Sequence, residues 1–99
     1  GLYHLAWEVD TLDELERFAK VLADEGSLVG ASDHSTTKSL YAKDPDGLEF
    51  EVVWIVPAKL LDDEARSRKG ILPLDIGKEK ERYGGATRGG VGVSMPAGV

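Results

Sequence analysis

The sequence contains no cysteine, and this absence removes several kinds of chemistry at once. Without cysteine the 99-residue chain has no disulfide bond, no thiol nucleophile and no cysteine-based zinc site. The same absence fits a reducing compartment, so we expect a cytoplasmic protein. Long apolar runs are also missing: none approaches the length of a membrane span, and no signal-peptide pattern is visible.

Basic residues are outnumbered by acidic ones. Lys and Arg total 12 against 18 Asp and Glu, which gives a net charge of −6, and the basic residues do not form a stripe. Because phosphate binding needs a basic face, we expect no nucleic-acid partner, and we expect no membrane partner either. Apolar residues make up 41% of the chain, which is enough for the core of one small domain.

The first 56 residues follow strand and helix patterns in turn. Residues 1–9 alternate in hydrophobicity and predict a strand. Thr11 is the expected N-cap of a helix whose apolar residues recur at three and four, and Gly26 is its expected C′ residue. Three more strands are predicted, over residues 27–33, 38–43 and 48–56, the last two joined by the turn sequence DPDG. The predicted fold class is α+β, with the order β-α-β-β-β.

After Pro57 the sequence predicts helical segments rather than strands. Residues 58–69 predict a short helix, and residues 72–84 predict another turn or two of helix. From Gly84 onward the chain is rich in glycine and has few side chains to bury. We therefore expect a module over 1–56, a helical extension over 57–83 and a flexible tail over 84–99.

Strand alternation predicts which side chains share a face of the sheet. Phe50, Val52 and Trp54 should lie on one face with Tyr3, Leu5 and Trp7, under the helix, so both tryptophans are expected in the core. Lys38 is expected to be a solvated residue at the end of a strand.

The opposite face of the sheet carries His4 and Glu51, where an imidazole and a carboxylate can converge. The spacing of His4 and Glu51 by itself favours a face of the sheet that is simply exposed to solvent. The apolar residues on the same face, such as Val53, favour a lined cavity instead.

Three stretches, GLYHLAWEV, ASDHSTTKSLYAKDPDG and LEFEVVW, together resemble the vicinal oxygen chelate superfamily. This superfamily includes glyoxalase I, bleomycin-resistance proteins and extradiol catechol dioxygenases. The resemblance covers residues 1–56 and implies a βαβββ module, half of a fold built from paired modules. It also implies that His4 and Glu51 are metal ligands and that a paired module supplies a further His. Such a two-His-one-carboxylate set suits Fe(II), with Mn, Zn or Ni as alternatives.

Within that superfamily, the sequence is most similar to the extradiol dioxygenases. The resemblance implies that His34 is an acid/base group and that Tyr41 hydrogen-bonds a substrate oxygen, the substrate being a small aromatic or vicinal-oxygen compound. Without the resemblance, His34 is better explained as a turn residue and Tyr41 as strand packing. The alternatives are a metal-free protein that binds a small molecule or antibiotic, a glyoxalase-type lyase, and a module without catalysis.

A single module would supply only two of the three protein ligands. We therefore expect this chain to be the C-terminal part of a longer protein whose other half carries the paired module. The alternative is a single-module chain that pairs with a second copy in a symmetric dimer.

Overall fold

The computed structural model describes residues 5–91, and within this range it shows a small α+β domain with three α-helices and a five-stranded mixed sheet. The elements in chain order are β1 (Leu5–Glu8), α1 (Leu12–Asp24), β2 (Leu28–Asp33), β3 (Thr37–Lys43), β4 (Glu49–Ile55), α2 (Asp63–Ser67), β5 (Leu72–Pro73) and α3 (Ile76–Tyr83). A single turn of 3-10 helix, Ala58–Leu60, lies between β4 and α2.

The strands are arranged in the order β1-β4-β3-β2-β5. β1 runs parallel to β4, and the other neighbouring pairs are antiparallel. The sequence did not predict β5, which pairs only with Ser32 and Asp33 at the end of β2. A two-residue strand is too short to show alternation, so the pairing partner alone defines it.

Local sequence signals set the ends of α1 and the turn after β3, as predicted. Thr11 Oγ1 accepts a hydrogen bond from the Glu14 amide at 3.1 Å, and Gly26 has the left-handed φ of 73° typical of a C′ glycine. In the DPDG turn, Asp44 Oδ1 accepts two backbone amide hydrogen bonds of 2.9 Å, and Gly47 has a φ of 85°.

The region after Pro57 differs in detail from the prediction. Residues 58–69 do not form one helix, because Leu61 is extended and Asp62 starts a new helix by accepting the Ala65 amide at 2.7 Å. The predicted helical turns over 72–84 are confirmed as α3, which Asp75 caps. Among residues 5–91, no helix combines the length and the apolar character needed to cross a membrane.

The core lies between one face of the sheet and the helices α1 and α3. Its buried members are Val9, Leu12, Leu15, Leu22, Leu40, Ala42, Val52, Trp54, Val56 and Tyr83. Trp54 is 0% exposed, so the predicted core position of this residue is confirmed. Its indole Nε1 donates to the Asp10 carbonyl at 3.1 Å and to the Thr87 carbonyl at 3.2 Å.

Trp7 is not in the core, and this prediction was wrong. Its side chain is 59% exposed, and that of Leu5 is 52% exposed. Trp7 is paired with the buried Val52, so it is on the helix face of the sheet. However, β1 is the edge strand, and α1 packs over β2, β3 and β4. At this edge position, beyond the helix, the side chains of Leu5 and Trp7 are largely exposed.

Residues 84–91, the first part of the expected flexible tail, pack against the start of α1 and the end of β4. The Gly89 amide donates to the Asp10 carbonyl and the Gly90 amide to the Ile55 carbonyl, each at 2.7 Å. A Cβ atom on Gly89 would lie 2.5 Å from the Ile55 oxygen, so this approach requires glycine. The remainder of the expected tail, residues 92–99, lies outside the described residues.

Candidate functional site

Two of the predicted site residues are in direct contact. His34 lies in the hairpin between β2 and β3, and Tyr41 lies on β3. His34 Nε2 and the Tyr41 hydroxyl share a hydrogen bond of 2.8 Å, in which the hydroxyl donates when Nε2 is unprotonated and accepts when it is protonated. Both side chains are partly buried. The pair can therefore hold or pass a proton between an imidazole and a phenol.

Glu51 lies on the same face of the sheet as this pair. It is directly opposite Tyr41 in the antiparallel pairing of β3 and β4, which places the two Cβ atoms roughly 5 Å apart. The Ser39 hydroxyl donates to Glu51 Oε2 at 2.6 Å, and Ser39 itself is fully buried. The serine thus fixes the orientation of a partly buried carboxylate beside Tyr41.

His4, the other predicted metal ligand, lies outside the described residues, so its position relative to Glu51 stays a prediction. Among residues 5–91 there is no group of three or more His, Asp or Glu side chains that could hold a metal ion. The predicted set takes only Glu51 from this range. A hydrogen bond from a buried donor such as Ser39 is the kind of outer contact that ligating carboxylates usually have, so the surroundings of Glu51 are compatible with a ligand role for this one residue.

Sequence reasoning missed a group of four charged side chains, which we call the buried charge cluster: Asp33, Lys38, Arg68 and Glu79. Lys38 is 1% exposed, so its predicted solvated position was wrong. Its Nζ lies 2.6 Å from Asp33 Oδ1 and 2.6 Å from Glu79 Oε1. The contact to Glu79 is an ion pair without the geometry of a hydrogen bond. One signal was available, because Lys38 alternates with Leu40 on β3 and thus shares its buried face.

Arg68, just after α2, is the second cation of the cluster. Its guanidinium donates from Nη2 to Asp33 Oδ1 at 3.1 Å and from Nη1 to Oδ2 at 3.3 Å, a bidentate contact. The same Nη2 also donates to the Asp33 main-chain carbonyl at 3.0 Å. One aspartate therefore joins the hairpin to β3 and to the C-terminal end of α2.

The cluster changes the acidity of Asp33. Burial by itself raises the pKa of this carboxyl, but hydrogen bonds from Arg68, Lys38 and the Ser35 amide outweigh burial and lower the pKa to about 2. Nearby, burial raises the pKa of the Tyr83 hydroxyl, whose ring lies 5.6 Å from Lys38 Nζ.

The low pKa of Asp33 predicts acid sensitivity. The carboxyl of an aspartate in an unfolded chain has a pKa of about 3.9. The unfolded chain therefore binds a proton at Asp33 more readily than the folded chain does. The ionised carboxylate contributes about 2 kcal/mol of stability above about pH 5, and most of it is lost by about pH 2. Chemical denaturation of the native chain and Asp33→Asn over this range should show the native chain losing its advantage as the pH falls. An advantage that does not change with pH would contradict this assignment.

Comparison with known proteins finds no matching family model, no matching curated protein and no matching solved structure.

Proposed function

We propose that this chain is one module of a metal-dependent, ring-cleaving dioxygenase of the extradiol catechol type. The observation that carries the proposal is the 2.8 Å contact between His34 and Tyr41, on the sheet face that also presents Glu51. An acid/base group, a phenol and an oriented carboxylate are the groups that this chemistry needs side by side.

We further propose that residues 1–56 form a βαβββ module that pairs with a second module. The order of elements over residues 5–55 and the adjacent parallel strands β1 and β4 support this proposal. So does the uncovered edge strand β1, where Leu5 and Trp7 are exposed. An apolar edge of this kind is unfavourable in water and suits a partner surface. The partner would be the other half of a longer chain or a second copy.

In this proposal Glu51 and His4 hold the metal together with a His from the paired module. A divalent metal such as Fe(II) would supply the Lewis acidity and the redox chemistry that ring cleavage of a vicinal-oxygen substrate by dioxygen requires. Ser39 keeps the Glu51 carboxylate oriented through its 2.6 Å hydrogen bond.

His34 and Tyr41 would act on the substrate's protons. When His34 Nε2 is unprotonated it accepts from the Tyr41 hydroxyl, so it can take that proton while the Tyr41 oxygen takes one from a substrate hydroxyl, and it can return the proton by the reverse path. The Tyr41 hydroxyl, already hydrogen-bonded to that nitrogen, can donate to a substrate oxygen in turn. The two side chains would thereby move a proton between His34 Nε2 and the Tyr41 hydroxyl oxygen.

The test compares two neighbouring glutamates on β4. We expect Glu51→Gln to weaken metal binding at least about tenfold, or ~1.4 kcal/mol of binding free energy, because a carboxamide is a poor ligand for a hard cation. Glu49→Gln is the matched control, since Glu49 is exposed and lies 3.7 Å from Lys43 at the surface. The protein is purified anaerobically at the length at which it is naturally produced, and its metal content is measured by elemental analysis. Oxygen uptake is then measured with catechol as substrate.

Each result separates the candidate functions. Metal lost only with Glu51→Gln, together with oxygen uptake, supports the dioxygenase. Equal metal content in both variants contradicts it. A bound organic molecule without metal would favour the small-molecule or antibiotic-binding alternative.

A further inference from the structure

The hairpin that carries His34 is anchored on both sides of this residue. On one side, the Asp33 main-chain carbonyl accepts from Arg68 Nη2 at 3.0 Å. On the other side, the Ser35 hydroxyl donates to the main-chain carbonyl of Ala65 in α2 at 2.7 Å. Asp33 and Ser35 are both buried. The backbone before and after His34 is therefore held by residues that lie 35 and 30 positions further along the chain from Asp33 and Ser35.

The conformation of this hairpin needs such support. Ser35 has a φ of 72°, a left-handed conformation that is uncommon for residues other than glycine. Asp33 Oδ1 accepts the Ser35 amide at 2.8 Å, and the His34 amide donates to the Thr37 carbonyl at 2.9 Å. A residue in a sparsely populated conformation persists only where its surroundings determine it. Here the surroundings include α2 as well as the sheet.

Arg68 is the residue on which these contacts converge. It makes three hydrogen bonds to Asp33, and two of them neutralise the same carboxylate that turns the hairpin through the Ser35 amide. Without Arg68, that carboxylate would keep Lys38 but lose its contact to the segment after α2. The hairpin would keep its anchor at Ser35 but lose the one before His34, and we expect the His34 ring to be held less firmly against Tyr41.

We propose that Arg68, acting through Asp33, is a positioning residue that holds the His34 imidazole against Tyr41. The acid/base role of His34 rests on the proposed function, whereas the positioning itself does not. In this proposal the region after Pro57 contributes to the site. α2 and Arg68, which follows it, fix the geometry of side chains that lie on the preceding hairpin and strands. Its contribution is made at the backbone of the hairpin, without contact to a substrate.

The experiment follows the two rings by NMR in the metal-free chain at one fixed pH. In the native chain we expect through-space signals between the His34 and Tyr41 rings, because Nε2 and the hydroxyl are 2.8 Å apart. In Arg68→Met we expect these signals to be lost and the His34 Nε2 resonance to shift. Arg68→Lys keeps the charge and a hydrogen-bond donor group but not the bidentate fork of the guanidinium, so it should restore part of the signal.

The matched control is Arg66→Met. Arg66 is an arginine of α2 itself, and it donates to the Leu61 and Ala58 carbonyls rather than to the hairpin. This variant should keep the native ring contact. If Arg68→Met keeps it as well, or if Arg66→Met loses it equally, the proposal is overturned.

A second variant covers the case in which Arg68→Met does not fold. Ser35→Gly removes the hydroxyl bond to Ala65 while permitting the left-handed φ, and it should weaken the same ring signals. Unchanged signals in that variant would count against anchoring by α2.

Enzyme activity tests the proposed function separately from the positioning. With catechol as substrate, kcat should fall about tenfold or more in Arg68→Met, because small misplacements of a catalytic group are costly. If the native protein does not cleave catechol while the NMR result holds, the proposed function fails and the positioning stands.

Discussion

Replacing Lys38 by methionine is expected to lower the free energy of unfolding by about 3–5 kcal/mol. The methionine would fill a similar volume but would remove the ammonium that lies 2.6 Å from the carboxylates of both Asp33 and Glu79. Asp33 would keep Arg68, whereas Glu79 would be left as a buried charge without this cation. Removing one partner from a buried ion pair leaves an uncompensated charge, which is much more costly than losing an exposed pair. Small domains have only about 5–15 kcal/mol of stability in total, so this variant should be close to unfolding.

Urea denaturation monitored by tryptophan fluorescence measures this effect. Lys43→Met is the control, because Lys43 lies on the same strand but is exposed and pairs with Glu49 at 3.7 Å. An exposed pair of this kind contributes at most about 1 kcal/mol. Adding Glu79→Gln to Lys38→Met should recover part of the loss, because it removes the buried carboxylate that has lost its ammonium partner. A Lys38 variant as stable as the Lys43 variant would show that the buried ammonium is dispensable.

Replacing Trp54 by alanine is expected to cost a similar amount, about 3–5 kcal/mol. The indole is completely buried, and its ring centre is 5.7 Å from that of Tyr83 in α3. Its Nε1 also bridges the Asp10 and Thr87 carbonyls, so the side chain joins the sheet to the chain before α1 and to the segment after α3. Alanine would leave a large cavity and would remove the donor that both carbonyls share.

Trp7 provides a matched control, because it is the same residue type on the same face of the sheet. Since it is largely exposed, Trp7→Ala should change the free energy of unfolding by no more than about 1 kcal/mol. Trp54→Phe should be intermediate, since phenylalanine keeps most of the apolar volume but cannot donate a hydrogen bond. Thermal and urea unfolding of all three variants give the comparison. Equal losses for Trp7→Ala and Trp54→Ala would mean that β1 is covered in solution.

The two tryptophans show where sequence patterns stop being informative. Alternation placed both on the helix face, and the pairing of Trp7 with Val52 agrees with that placement. Alternation does not say which strand lies at the edge of the sheet, because edge position depends on pairing between distant segments. Only the strand order puts Trp7 outside the cover of α1.

The contacts of the candidate site also divide into local ones, which a sequence can predict, and contacts between distant residues, which it cannot. His34 and Tyr41 belong to one hairpin and its strand, so their contact is nearly local and was open to prediction from the sequence. Glu51 is brought opposite Tyr41 by an antiparallel neighbour that follows after a short turn. The contact between Arg68 and Asp33 joins residues 35 positions apart, and no pattern in the sequence connects them.

The sequence alone determined the features that depend on short-range physics. These are the capped helix α1, the alternation that separates the core face of β3 and β4 from the face of Glu51, and the DPDG turn. The tertiary structure alone decided the exposure of Trp7 and which groups surround Lys38 on the buried face that alternation assigns to it. α3 brings Glu79 and Tyr83 against Lys38 and buries it, whereas Trp7 on the edge strand stays 59% exposed. Burial depends on contacts between distant parts of the chain, and such contacts leave no periodic signature in the sequence.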